Sequence, residues 1–287
     1  GLDQTSSAAT LQAEGIQVEL GIPLEINSFE PWRSDLTAVV VGPGIPWDHP
    51  TLESLRQEGV QIRGEIELAW EALNDIPWVG ITGTNGKTTV THLLSHVLNH
   101  AGVRAPMGGN MGASAAEMAL KIRKGETPKP DWLVMELSSY QIEAGPSLAP
   151  SIGIWTTLTP DHLERHGTLE AYRAIKHSLL QRSSLAIFNG DDADLSAHRP
   201  SLKRGMWVKA APPCHDDQPA DFWIDDAGTV QAREGGAMFP AKVLAMPGAH
   251  NHQNLLLVTA AAAQIGLNAE QIARGLESFP GVPHRLE

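Results

Sequence analysis

Trp78-Val79-Gly80-Ile81-Thr82, followed by Gly83-Thr84-Asn85-Gly86-Lys87-Thr88-Thr89, decides how this chain folds. The first five residues form an apolar run of strand length. After the turn, Val90, Leu93, Leu94, Val97 and Leu98 recur at helical spacing, which predicts a helix over Lys87 to Ala101. A glycine-rich turn between strand and helix lets backbone N–H groups curl around phosphate oxygens, and the helix N-terminus adds positive potential. Lys87 would reach the β- and γ-phosphates, and Thr88 would offer a hydroxyl to Mg²⁺. The spacing departs from the strict P-loop, since Ile81 stands where its first glycine would be and Gly83 lies inside the loop. A ligand-free turn is the plain alternative; Gly-Lys-Thr-Thr after a buried strand weighs against it.

On either side, strands and helices alternate. Leu36 to Val41 and Val60 to Arg63 read as strands, with helices near Pro50 to Glu58 and Glu65 to Leu73. Downstream, Trp132 to Leu137, Ile152 to Leu158 and Leu185 to Asn189 are apolar strands, with helices near Ala113 to Arg123 and Leu169 to Gln181. That alternation predicts an α/β fold with a mostly parallel sheet covered on both faces. Met206 to Lys209, Phe222 to Asp225, Thr229 to Arg233 and Ala241 to Ala245 are short β-like pieces among Pro, Gly and Asp, expected to form a small antiparallel subsheet. Helices over Asn251 to Ile265 and Ala269 to Leu276 close the series.

The chain has 287 residues, 33 acidic against 21 basic, for a formal charge of −12. No basic run gathers into a patch, which argues against nucleic acid as a partner. Cys214 is the single cysteine, which excludes an internal disulfide and fits a reducing compartment. No apolar stretch is long enough to span a bilayer, so the expectation is a cytoplasmic protein with no membrane partner, working as a monomer. The first methionine is Met107, so the chain reads as a fragment or a processed product.

Three further residues stand out. Glu136 lies near the C-terminal end of the strand Trp132 to Leu137, where an ionised group needs a cation, a metal or water. In open α/β sheets ligands sit beyond the carboxyl ends of strands, where Gly83, Glu136 and His162 would converge. Lys176 shares a helical face with Leu169, Tyr172 and Leu180; a lysine there snorkels to solvent or is modified or paired.

The ordered segments Gly83 to Thr89, Glu136 to Glu143 (Glu-Leu-Ser-Ser-Tyr-Gln-Ile-Glu), Thr159 to His166 (Thr-Pro-Asp-His-Leu-Glu-Arg-His), Tyr172 to Lys176, Gly248 to Asn254 and Gly281 to Arg285 resemble those of the Mur ligase family. Glu136 to Glu143 is similar to the stretch typical of its D-glutamate-adding branch. Folylpolyglutamate synthetases share the nucleotide loop, and a sister ligase or a nucleotide-binding module without ligase activity are the rival readings.

The resemblance implies a P-loop-type central ATPase domain over residues 77–280, preceded by a truncated Rossmann-like N-terminal domain (1–76) that binds a UDP-substrate, and followed by a linker (281–287) to a C-terminal domain. It implies ATP-dependent addition of D-glutamate to UDP-N-acetylmuramoyl-L-alanine through an acyl phosphate, in peptidoglycan precursor synthesis. Lys87, His162 and Lys176 would be catalytic. Gly83, Thr84, Asn85, Gly86, Lys87, Thr88, Thr89, Asn254 and Arg285 would hold ATP. Thr88 and Glu136 would bind one Mg²⁺, and His162 with a CO₂-derived carbamate on Lys176 a second. Gly44, Asn110, Ser138, Ser139 and His162 would meet the substrate. Without the C-terminal domain, the chain is expected to bind ATP without sustaining ligation.

Overall fold

The computed structural model describes residues 4–210 and 220–282, with side chains from residue 8 onward. Arg285 and Cys214 lie outside the described residues. The chain divides into two compact units, Gly1–Val40 with Asp48–Ile62, and Val41–Trp47 with Arg63–Glu287. Among the described residues, no helix is long and apolar enough to cross a membrane.

The first unit carries α1 (Gln4–Ala13), a 3₁₀ turn (Ile26–Trp32), most of β1 (Ala38–Val41), α2 (Pro50–Gln57) and the start of β2 (Gln61–Gly64). Strands β1 and β2 pair as a two-stranded sheet. Helix α2 begins where its physics favours a start: Pro50 stands at the first turn, and the His49 ring accepts a hydrogen bond from the Thr51 N–H at 3.2 Å.

The second unit runs α3 (Glu65–Leu73), β3 (Trp78–Thr82), α4 (Lys87–His100), β4 (Met107–Gly109), α5 (Ala115–Arg123), β5 (Leu133–Glu136) and α6 (Ser139–Glu143). It continues through β6 (Ile152–Trp155), α7 (Leu163–His166), α8 (Leu169–Arg182), β7 (Leu185–Asn189), α9 (Ala193–His198), β8 (Met206–Lys209), β9 (Phe222–Ile224), β10 (Thr229–Ala232) and β11 (Gly236–Pro240). Helices α10 (Ala249–Ile265) and α11 (Ala269–Glu277) complete it.

Among the described residues, nine strands form one sheet in the order β11-β10-β9-β8-β7-β6-β3-β5-β4. Every neighbouring pair from β4 to β9 is parallel, and only β9-β10 and β10-β11 are antiparallel. Two apolar cores cover its faces. Val79 and Ile81 of β3 pack with α4, α10 and α11, while Trp78 packs with α3, α5 and α8. This period-two alternation on a strand buried on both faces places the loop after β3 near the middle of the sheet.

Two expectations need correction. The antiparallel subsheet forms from β9, β10 and β11 and continues the main sheet, but β8, expected among its strands, is parallel to both β7 and β9. The strand expected over Ala241 to Ala245 does not form; Gly236–Pro240 is the strand and Ala241–Val243 a 3₁₀ turn. The cause is the turn: Gly235 and Gly236 both take positive φ (131° and 72°), which reverses the chain at once and pairs Gly236 with Ala232.

Candidate functional site

The loop after β3 is held open by the strand beside it. Thr156 and Thr157, just past β6, grip Asn85: both hydroxyls donate to its carbonyl, and the Asn85 N–H donates to Thr157 Oγ1 at 2.9 Å. The Thr84 N–H donates to Thr157 O at 2.9 Å, and the Thr84 hydroxyl exchanges bonds with the Thr159 backbone (3.0 and 3.1 Å). Gly83, at φ 151°, is forced by this closeness, since a Cβ there would stand 1.9 Å from Thr156 Oγ1 and 2.9 Å from Thr157 N. Gly86 takes φ 85° and opens α4, whose first residues Lys87 and Thr88 are half-buried; Thr89 is buried. Lys87 Nζ folds back to donate to Thr84 O at 2.8 Å.

Beside the loop lies a cavity of about 610 Å³, bounded by Asn85, Gly86, Thr89 and Thr157 on one side, the start of α10 on another, and Phe279 to Val282 on a third. Asn254 is buried and donates to Asn251 Oδ1 at 3.1 Å; its own Oδ1 would lie 2.9 Å from a Cβ at Gly86. The start of α10 therefore touches the phosphate-type loop directly. The cavity's mixed lining and size suit a small organic ligand.

Glu136 is 2% exposed at the end of β5. Its Oε1 accepts from Asn110 Nδ2 at 3.0 Å, and the Asn110 N–H donates to Glu136 O at 2.9 Å. Its Oε2 is buried with no hydrogen-bond partner among the described residues. An oxygen so left is costly unless a cation neighbours it, so this carboxylate fits Mg²⁺. No cluster of three His, Cys, Asp or Glu that could hold a metal occurs among the described residues. A cation here would thus draw on hydroxyl, carboxylate, phosphate and water oxygens, the ligand set of a hard ion.

Lys176 is buried at 1% exposure, with Nζ 3.0 Å from Gly83 O, 3.3 Å from Thr82 Oγ1 and 4.4 Å from the centre of the Tyr172 ring. It packs beneath the loop rather than snorkelling. Burial, and secondarily the Lys87 cation, push its pKa down to about 7, against a smaller upward pull from Asp161.

His162 is the one non-glycine residue at positive φ (51°) among the described residues, and starts α7. Its exposed ring neighbours Tyr140 at 5.4 Å and Tyr172 at 6.4 Å. Ser138 caps α6 in a reciprocal capping box with Gln141, and Ser139 Oγ lies 2.9 Å from His166 Nε2. Gly44 sits in an exposed turn. The structure thus brings Lys87, Lys176, Thr84 and Asn254 around one loop and Asn110 onto Glu136, while Ser138 and Ser139 bond within α6 and to α7.

Sequence reasoning passed over Thr156, Thr157 and Asn189. Asn189 Nδ2 donates to Thr156 O at 2.8 Å and to Gln253 Oε1 at 3.2 Å. No local pattern announces such ties, which join residues 33 and 64 positions apart. The Ser138…Gln141 box did carry a signal, an S-x-x-Q pattern that marks a helix start.

Comparison with known proteins adds the following. The Mur ligase middle domain matches residues 81–262. The chain is 95% identical over 287 residues to the UDP-N-acetylmuramoylalanine--D-glutamate ligase of Synechococcus sp. (strain CC9902), covering 100% of this chain and 62% of that protein. It is 66% identical over 281 residues to the ligase of the same name in Synechococcus sp. (strain CC9605), covering 98% of this chain and 61% of that protein. The chain thus spans about three-fifths of the length of these relatives. Among solved structures, a UDP-N-acetylmuramate:L-alanyl-gamma-D-glutamyl-meso-diaminopimelate ligase from Neisseria meningitides superposes with a TM-score of 0.63 at 20% identity, covering 96% of this chain and 87% of that one, a likeness of fold.

Proposed function

This chain belongs to the Mur ligase family, and from that premise we propose that the protein carrying it joins D-glutamate to UDP-N-acetylmuramoyl-L-alanine at the expense of ATP. The observation that carries the reading is the threonine-clamped loop of Gly83 to Thr89 opening onto the cavity beside α10. Residues 77–280 are the ATP-binding part, and residues 1–76 belong to the part that receives the UDP-substrate.

The triphosphate lies along the loop N–H groups and the α4 N-terminus, with Lys87 swinging from Thr84 O to the β- and γ-phosphates, and the adenosine enters the cavity against Asn254. The alanyl carboxylate attacks the γ-phosphorus and the bridging P–O bond to ADP breaks. The D-glutamate amine then attacks the acyl carbon, the C–O bond to phosphate breaks, and the amine loses its proton. Asn110, just past β4, and His162, at the start of α7, orient the substrate. Thr88 and Glu136 would hold one Mg²⁺, and His162 with modified Lys176 another, supplying offset of phosphate charge during transfer. The chain's own contribution is positioning and fixed positive potential.

The acyl phosphate is testable by isotope. With the whole protein, substrate labelled with ¹⁸O in the alanyl carboxylate should transfer one labelled oxygen to the released phosphate. Unlabelled phosphate, or release of pyrophosphate and AMP, would sink the mechanism.

Lys176 carries a carbamate in this reading. The amine nitrogen attacks CO₂ and releases a proton, which requires the neutral amine. A pKa of about 7 makes that form abundant above neutrality, where an ordinary lysine at about 10.4 is almost wholly charged. The sign follows: below about 7 the ammonium dominates and the carbamate is lost. With ¹³C-bicarbonate, a carbamate resonance should appear at a pH about one unit above that value and fade about one unit below it. Its absence at every pH, or its persistence in Lys176→Gln, would contradict the assignment.

A further inference from the structure

Asn189 is 1% exposed at the end of β7. Its side chain is fully committed. One amide group reaches Thr156 O (2.8 Å) and Gln253 Oε1 (3.2 Å), and its Oδ1 accepts from the Asp191 N–H at 3.0 Å. Thr156 in turn donates its hydroxyl to Asn85 O of the phosphate loop, while Gln253 lines the cavity at the start of α10. The two halves of the nucleotide site are built from elements far apart in sequence, and Asn189 bonds to Thr156, which holds the phosphate loop, and to Gln253, which lines the cavity.

We propose that Asn189 is a positioning residue that sets the spacing between the phosphate loop and the base cavity, so that one nucleotide spans both at once. The inference rests on the ATP reading above. Its physical content is a linkage effect. A ligand that occupies two subsites gains from their fixed separation, whereas a ligand that occupies one does not. Loss of the tie therefore weakens ATP while leaving single-subsite ligands almost unaffected. A merely structural role would weaken all of them together.

The test is calorimetric titration of this chain with Mg²⁺-ATP, inorganic tripolyphosphate and adenosine, each for the unsubstituted chain, Asn189→Leu, Gln253→Met and the double variant. Asn189→Leu should lower ATP affinity about 10-fold, and Gln253→Met should lower it by a smaller factor, while tripolyphosphate and adenosine each change less than about 2-fold. The double variant should bind ATP no more weakly than Asn189→Leu, because both changes cut one tie. Should Asn189→Leu fail to fold, Gln253→Met decides alone, since Gln253 is half-buried at a helix start and leaves the Thr156 bond in place. Equal losses for all three ligands, multiplicative losses in the double variant, or unchanged ATP affinity would overturn the proposal. An unsubstituted chain that binds no ATP would overturn the functional reading itself, and is told apart by the first titration.

Discussion

Gly83→Ala should abolish nucleotide binding and cost about 2–4 kcal/mol of stability. Three contacts cause it. The new Cβ would meet Thr156 Oγ1 at 1.9 Å, Thr157 N at 2.9 Å and Thr157 O at 3.1 Å. The hydroxyl could rotate away, but it is one of the two that hold Asn85 O. The two backbone atoms cannot move without disturbing the Thr156–Thr82 hydrogen bond that extends the β3-β6 ladder. Relief therefore comes from the loop, which must peel off its threonine clamp. Gly125→Ala is the control: its φ of 73° is also left-handed, but open space surrounds it, so only backbone strain of about 1 kcal/mol is expected. Chemical denaturation of both variants, followed by ATP titration of the folded protein, separates the two effects. Equal losses in the two variants would show that strain, not the threonine contact, explains the glycine.

Lys87→Met should weaken Mg²⁺-ATP binding about 10- to 100-fold, the weight of a hydrogen bond to a charged group once water is excluded. The substitution keeps the side chain as far as Cε and removes only the charged tip, and the lost bond to Thr84 O involves a half-buried group, so the fold should survive. A second consequence reaches Lys176. Lys87 is one of the two causes that depress its pKa, so removing that charge should let the Lys176 pKa rise and move the onset of carbamate formation to higher pH. An onset that stays in place would mean that burial alone sets the Lys176 pKa.

Much of this site could be read from sequence because its chemistry is written in contiguous residues. The β3-loop-α4 unit shows as an apolar run, a glycine turn and a helical stripe, and Lys176 betrays itself by standing on the face of Tyr172 and Leu180. What stayed hidden is tertiary. Strand β4 is Met-Gly-Gly, a composition with no strand preference, and it exists because β5 offers it an edge. Helices α6 and α7 are 5 and 4 residues long, too short for any periodicity to register. The loop's clamp comes from Thr156, Thr157 and Asn189, whose partners lie one or more strands away, so no window of sequence contains both ends of a bond. The end of the sheet misled for a related reason: Ala241 to Ala245 has strand composition, but Gly235 and Gly236 had already turned the chain and used the pairing edge of β10.

Titration of the unsubstituted chain with Mg²⁺-ATP, repeated with Lys87→Met, tests the central claim most directly. The account predicts binding of one nucleotide per chain, displaced by ADP and sharply weakened by the substitution. No binding, or binding that is indifferent to Lys87, would place the nucleotide elsewhere and contradict it.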